Sequence, residues 1–316
     1  MGIMERKNNR YDSPAMTQTK KGWQQYLSIV WRYKRVFVAH AMLLIVLLAA
    51  ILAPLYPNDP FDQRLALSLS APAMTQEENR LPSFMGTDSL GRDLFSRLLL
   101  ATRISLMVGF LSVFIACPLG ALLGLFAGYQ GGIVDVIVMR IVDALLSLPF
   151  VVIAITIVAA IGPGLVKLAL VLGLTGWVTF AKLVRGEVLR LKEMEYIEAA
   201  RCIGCSRTRI LFHYIAPQVF GLVLVTVTLT LGQMIIAEAI LSFLGLGIPP
   251  PMPTLGGILS EAQTFFFSAW WIVIFPGVFL MAIVLSVNII GDFLRDYFDP
   301  QFKYEWAPKL KENPQL

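Results

Sequence analysis

Long apolar runs separated by short polar stretches dominate the chain. Six of these runs come close to the roughly 20 apolar residues that a helix needs to cross a bilayer. The predicted spans cover residues 36–55, 104–127, 136–161, 165–181, 219–244 and 270–291. The pattern therefore predicts an all-α, polytopic membrane protein with six transmembrane helices.

The composition excludes an ordinary soluble domain. Hydrophobic residues make up 57% of the 316 residues and charged residues only 15%, with a mean hydropathy of +0.70. Because a soluble domain has about 25% charged residues, the apolar surplus indicates that membrane lipid is the solvent. A net charge of +5 can indicate nucleic-acid binding in a soluble protein. Here the basic residues cluster in particular loops, so we expect no nucleic-acid partner.

The positions of the basic residues predict the orientation. Most of the 26 Lys and Arg residues fall in the N-terminal arm, in the loop between the fourth and fifth spans, and in the C-terminal tail. The positive-inside rule therefore places both termini in the cytoplasm. The predicted organisation is an arm (1–35), a first helix with an outer loop (36–97), a core of five helices (98–292) that contains a cytoplasmic loop (182–217), and a tail (293–316).

Small residues and prolines in the spans predict helix packing and bends. Gly120, Gly124 and Gly128 recur at every fourth position, a spacing that lets two helix backbones approach closely. Three prolines within spans each remove a backbone donor and can kink the helix that contains them. These are Pro118, Pro149 and Pro276.

The cytoplasmic loop predicts two short helices that meet at an angle. Gly204 supplies a C-terminal stop for the first helix, and Ser206 can cap the second. Pro217 lies in the first turn of the fifth span, where proline is tolerated. Residues at helical spacing place one face of the first helix at Tyr196, Ala199, Ala200 and Ile203.

These residues resemble the EAA motif of bacterial ABC importer permeases. In that family E-A-A is followed after three residues by glycine, and a proline ends the motif. Here the motif consists of Glu198, Ala199, Ala200, Gly204 and Pro217, which keep the family's spacing. The resemblance implies that this loop is a coupling helix, which docks on a separate ATPase.

Two further segments resemble the oligopeptide, dipeptide and nickel branch of these permeases, and its C-type subunit in particular. They are GTDSLGRDLFSR at 86–97 and LSFLGLGIPPPMPTLGG at 241–257. The resemblance implies the type I ABC importer transmembrane fold in the bacterial inner membrane. The implied partners are a sibling permease forming a heterodimer, two cytoplasmic ATPase subunits and a periplasmic solute-binding protein. The implied cargo is a peptide, with nickel, glutathione or another small solute as alternatives.

The chain is not expected to be an enzyme by itself. It has no G-x-x-x-x-G-K-[ST] phosphate loop, so we expect ATP to be bound by the partner subunits and no other cofactor to be held. Cys202 and Cys205 form a C-x-x-C pair, but their flanking residues fit no redox pattern, and only His213 is near as a further metal ligand. We therefore predict no metal site.

Charged residues within the spans leave two alternatives open. Glu238 is the acidic residue deep within a predicted span, where a carboxylate is costly. It is either a pore or gate residue or a structural group that is hydrogen-bonded near the end of its helix. Arg140 and Asp143 are three residues apart, which allows an ion pair. A stand-alone secondary transporter is the weaker alternative, because no internal repeat is evident.

Overall fold

The computed structural model describes residues 34–72 and 82–298, so most of the predicted arm and tail lie outside the described residues. Over these residues the regular structure is helical apart from one isolated bridge between Thr87 and Asp93. The longer helices are α1 Lys34–Leu52, α2 Leu94–Gln130, α3 Gly132–Leu146, α4 Phe150–Ile161, α5 Leu165–Lys192, α6 Glu195–Cys202, α7 Ala216–Phe243, α8 Leu255–Ala262 and α9 Trp271–Phe298. Following the predicted topology, the Leu94 end of α2 is termed outer and its Gln130 end inner.

Five helices of the described chain are long and apolar enough to cross a membrane, and α3 with α4 makes up a sixth, broken span. This agrees with the predicted number of spans. Three long helices extend beyond their predicted bounds: α2 begins at Leu94, α5 continues to Lys192 and α9 continues to Phe298. These extensions carry helical structure beyond the apolar windows.

The third predicted span, 136–161, is wrong as a single helix. The axes of α3 and α4 meet at an angle of 88°. Pro149 lies at the N-cap of α4, where it has no N–H to continue the helix and disfavours the helical conformation of Leu148. Pro118 and Pro276, in contrast, remain inside the continuous helices α2 and α9.

The glycine stripe on α2 packs against α5, as its spacing predicts. A Cβ atom at Gly120 would lie 2.2 Å from the carbonyl oxygen of Trp177, and one at Gly128 would lie 2.9 Å from the Cβ of Val188. Residue numbers rise together along the two helices, so α2 and α5 run parallel. Larger side chains at these glycines would push the two helices apart.

α7 packs on another side of α2 and also on α9. A Cβ at Gly109 would lie 2.7 Å from the Ile235 side chain, and one at Gly232 would lie 2.7 Å from Oδ1 of Asn288. These close approaches place α7 between the two helices. It therefore occupies the middle of the helix assembly.

An ion pair fixes the inner end of α3 to α5. Arg185 donates from Nη2 to Oδ2 of Asp135 at 2.6 Å. The predicted pair of Arg140 with Asp143 does not form in the described structure, because both side chains are exposed on α3 while Asp135 faces α5.

The outer segment that precedes α2 is anchored to the helices by hydrogen bonds. Trp271 donates from Nε1 to the carbonyl oxygen of Thr87 at 3.1 Å. Asp93 caps α2 by accepting from the backbone N–H of Ser96 at 2.8 Å. Burial raises the pKa of Asp93, and the hydrogen bonds from Ser96 oppose that rise. The start of α2 is therefore fixed from both sides.

Candidate functional site

The predicted cytoplasmic loop folds as a compact hairpin, here termed the inner hairpin (residues 195–215). Its first arm is α6, and its second arm is the helical turn Arg207–Arg209 followed by a π-helical turn Ile210–Ile215. Ile197 and Ala200 of α6 are buried, at 0% and 4% exposure. They pack into an apolar cluster with Val184 and Val188 of α5 and with residues of the second arm. The buried side of the hairpin is thus held mainly by apolar contacts.

The opposite face of α6 is open to solvent. Glu198 and Ala199 are exposed, and Ile203 is 78% exposed. The predicted face is therefore divided: Ala200 lies in the core, whereas Ala199 and Ile203 lie on the surface. No local pattern distinguishes Ile197 from Tyr196 as the residue that anchors the helix.

The turn of the hairpin has the geometry that its residues predict. Gly204 has a φ of +81°, a left-handed conformation that glycine adopts without strain. Its N–H donates to the Arg201 carbonyl at 3.0 Å, and the N–H of Cys205 donates to the Ala200 carbonyl at 3.0 Å. These two bonds form a Schellman motif, which ends α6. Ser206 then accepts from the N–H of Arg209 at 3.3 Å and caps the second arm.

The hairpin continues into α7 without a break. Pro217 lies in the first turn of α7, as predicted, and is exposed. Nε2 of Gln218 donates to the Tyr196 hydroxyl at 2.9 Å, which ties the first arm to the start of α7. Four of the five predicted motif residues are therefore exposed at the inner hairpin and the start of α7, whereas Ala200 is buried. Their role in binding an ATPase stays a prediction.

Glu238 lies far from the hairpin, roughly 32 Å along α7 from Pro217 by helical rise. Its side chain is fully buried, and Oε1 accepts from the Ser242 hydroxyl at 2.6 Å. Ser105 of α2 and Thr254, just before α8, also interact with this carboxylate, and the Thr102 hydroxyl is buried nearby in sequence on α2. Glu238 therefore belongs to a buried polar group between α2 and α7, and its role as a pore or gate residue stays a prediction.

A charged cluster, here termed the outer junction, consists of Asp88, Arg92, Arg97 and Glu261. Asp88 accepts from Nε of Arg92 at 2.7 Å and also from Arg97. Arg97 donates from Nη1 to Glu261 at 2.8 Å, and Arg92 donates to the same carboxylate at 3.1 Å. The Arg97 side chain is 2% exposed, whereas that of Glu261 is 36% exposed.

The outer junction connects the segment 86–97 to α8, just after the segment 241–257. The sequence motifs identify the segment 86–97, which contains Asp88, Arg92 and Arg97, but miss Glu261. Because the paired residues are 164 positions apart, no local pattern links them. The one available signal is that an Arg near the outer end of a span needs an acidic partner.

No group of three or more metal-ligating side chains occurs within the described ranges. Cys202 is exposed and Cys205 is half-buried, and both are free thiols. The C-x-x-C pair thus has neither a disulfide nor a ligand set around it.

Comparisons with known proteins identify relatives over most of the chain. It is 40% identical over 286 residues to the dipeptide transport system permease protein DppC of Alkalihalophilus pseudofirmus, covering 89% of this chain and 90% of that protein. It is 44% identical over 220 residues to the glutathione transport system permease protein GsiD of Pectobacterium atrosepticum, covering 70% and 73%.

A solved structure supports the fold. A chain of the MetNI methionine ABC transporter in inward facing conformations matches with a TM-score of 0.50 and 22% identity, covering 65% of this chain and 96% of that chain. Residues 120–304 match the family described as binding-protein-dependent transport system inner membrane component. With that match and the permease relatives, the chain belongs to the family of inner membrane components of binding-protein-dependent transport systems.

Proposed function

We propose that this chain is one of two membrane-spanning subunits of an ATP-driven importer of short peptides. The relatives from Alkalihalophilus pseudofirmus and Haemophilus influenzae are both named as dipeptide permeases, and each aligns with about nine-tenths of the chain. In this proposal the chain has no enzyme activity of its own. ATP binds to partner subunits, and this chain holds no cofactor.

The observation that supports energy coupling is the open face of α6. Ile203 is 78% exposed beside the rigid turn at Gly204, while Ile197 and Ala200 fix the helix from below. Because the helix backbone is already fixed, little further backbone entropy is lost when a partner covers this apolar side chain, which favours docking. Glu198, Ala199 and Gly204 contact a groove on the ATPase in this proposal, and Pro217 sets the start of α7.

The assembly has two cytoplasmic ATPase subunits, a sibling permease and a periplasmic solute-binding protein. Both termini of this chain lie in the cytoplasm. The orientation is supported by exposed basic residues around the inner hairpin, which the positive-inside rule assigns to the cytoplasm. They are Arg201, Arg207 and Arg209.

Copurification tests the coupling surface. Ala199→Arg places a charge on the exposed face of α6 and is expected to reduce the yield of bound ATPase at least about tenfold, since a buried unpaired charge at an interface is strongly unfavourable. Gln130→Arg adds the same charge at the exposed inner end of α2 and serves as the control. Equal ATPase recovery from both variants contradicts the proposed docking site.

Uptake assays test the substrate. The complete importer with its binding protein, reconstituted in liposomes, is expected to accumulate a labelled dipeptide on addition of ATP. Glutathione is the second candidate, because the Pectobacterium atrosepticum relative is named as a glutathione permease. Preferential uptake of glutathione or of Ni²⁺ over the dipeptide contradicts the peptide assignment.

A further inference from the structure

A cleft of about 350 Å³ lies between the broken span, α5 and α7. Its walls are largely apolar, but Thr179 of α5 and Gln233 of α7 also line it. Both of these polar residues are exposed in the described structure. The cleft is distinct from the buried polar group around Glu238 and from the inner hairpin.

The depth of the cleft follows from the helix positions. Gly176 lines it and lies roughly 16 Å along α5 from Leu165, about half of a 30 Å hydrocarbon core. A Cβ at Gly176 would lie 2.2 Å from the terminal methyl of Met234, so this part of α7 is at the same level. Gln233 is therefore near the middle of the membrane.

The break between α3 and α4 opens on this cleft. Leu148 lines it, and Ser147, Leu148 and Pro149 are non-helical and exposed. The last turn of a helix leaves carbonyl groups without helical partners, and the Ser147 hydroxyl accounts for one by donating to Ala144 at 2.7 Å. Non-helical backbone at membrane depth is tolerated only inside protein or along a water-filled cavity. This face is therefore not a lipid-facing surface.

The side chain of Gln233 independently indicates that this face does not contact lipid. A primary amide exposed to hydrocarbon loses its hydrogen bonds to water at a cost of several kcal/mol. Polar side chains within spans consequently face a protein interior or a water-filled path. The broken backbone and the exposed amide lie on opposite walls of one cleft.

A second groove of the molecule provides the contrast. It lies between α1 and α2, has a volume of about 660 Å³, and is lined by apolar residues apart from Arg103. Phe114, in the middle of α2, is 75% exposed there. Both helices are unbroken at this groove, so no backbone group in it needs water, and the long side chain of Arg103 can extend its charge toward the outer surface.

We infer that the cleft lined by Leu148, Thr179 and Gln233 is this chain's share of the substrate path. This assignment rests on the proposed function. It makes the Gln233 amide, which shares the cleft with the non-helical backbone of the α3–α4 break, the group that hydrogen-bonds to the backbone of a passing peptide. A primary amide has both a donor and an acceptor, as a peptide group does. It can therefore bond to the backbone of a peptide whatever the side chains of that peptide are.

Cysteine labelling of the assembled importer tests water access. In a background with Cys117, Cys202 and Cys205 replaced by serine, the variants Gln233→Cys and Phe114→Cys are treated with a charged trimethylammonium methanethiosulfonate. The reaction requires a hydrated thiolate. Gln233→Cys is therefore expected to react at least about tenfold faster than Phe114→Cys, in the resting state or in the ATP–vanadate state. Equal rates in both states overturn the assignment, because the cleft is then covered by lipid or by the sibling subunit.

Transport provides the second readout. Gln233→Leu is expected to lower dipeptide uptake about three- to tenfold, since it removes both hydrogen-bonding groups, while Gln233→Asn restores part of the rate. Phe114→Leu is the control and is expected to transport normally. Undiminished uptake by Gln233→Leu contradicts the role of the amide. If the wild type takes up no dipeptide but Gln233→Cys is labelled selectively, the path stands and the peptide assignment fails.

Discussion

The outer junction and the inner hairpin both hold a short helix against the long spans, but they do so with different chemistry. The outer junction fixes α8 through buried charges, in which Arg97 reaches both Asp88 and Glu261. The inner hairpin fixes α6 through Ile197 and Ala200, which enter an apolar cluster. Charge pairs specify direction and partner, whereas apolar contacts hold one face and leave the other free.

This difference indicates what each end does. The charged groups of the outer junction pair with one another, and among them only the Glu261 side chain is substantially exposed. The inner hairpin leaves Ile203 uncovered. The first is therefore a structural connection between two parts of one chain, and the second is the surface that the proposed function assigns to another chain.

Breaking the outer junction is expected to have the largest effect. Arg97→Gln removes a buried charge from a network and should lower the free energy of unfolding by about 3–5 kcal/mol, because Asp88 loses a buried partner. Thermal unfolding of the detergent-purified protein measures the change. Arg190→Gln is the matched control, since Arg190 pairs with Glu187 at the surface and its side chain is 56% exposed. Equal losses of unfolding free energy in the two variants would contradict the claim that the buried ion pairs of the outer junction contribute more than an exposed pair.

The turn of the inner hairpin is expected to respond to backbone strain. Gly204→Ala forces a Cβ into a φ of +81° and should cost about 1–2 kcal/mol locally, with reduced ATPase stimulation. Gly186→Ala on α5 is the control, because Gly186 also has open space around it but no positive φ. That control should be neutral or slightly stabilising. ATPase rates and hydrogen exchange of the hairpin measure both effects, and identical behaviour of the two variants speaks against a strained turn.

Neutralising the exposed member of the outer junction should have a smaller effect than removing Arg97. Glu261→Gln leaves the Arg97–Asp88 contact in place, and the partial exposure of Glu261 screens the lost charge, so about 1 kcal/mol is expected. A double-mutant cycle with Arg97→Gln should show a coupling energy, since the two groups are in contact. Strictly additive changes in melting temperature would rule out a shared network.

The smallest effect on stability is expected at the open face of α6. Ile203→Ser should change the free energy of unfolding by no more than about 0.5 kcal/mol, because the side chain makes few contacts in this chain. ATPase recovery in copurification should nevertheless fall. A large decrease in melting temperature would show that Ile203 stabilises the fold and is not a free side chain available for binding a partner.

Local signals in the sequence predicted the inner hairpin well. Gly204 and Ser206 define its turn through contacts with residues a few positions away, so their spacing suffices. The outer junction depends on a contact between residues 97 and 261, which only the packed helices create. Burial of Glu238 was likewise beyond prediction, because it depends on where α2 and α8 lie. Pro149 indicated a bend, but the angle of 88° follows from packing against α5 and α7.

The uninterrupted run from Arg207 to Phe243 gives the two ends a mechanical relation. Its 37 residues form a rod about 55 Å long, with the hairpin's second arm at one tip and the close contact of Ala239 with Gly256 of α8 near the other. A tilt of only about 10° about one tip sweeps the opposite tip through roughly 9 Å. A rigid rotation of this rod about its hairpin tip would thereby displace its outer tip by several ångströms against α8.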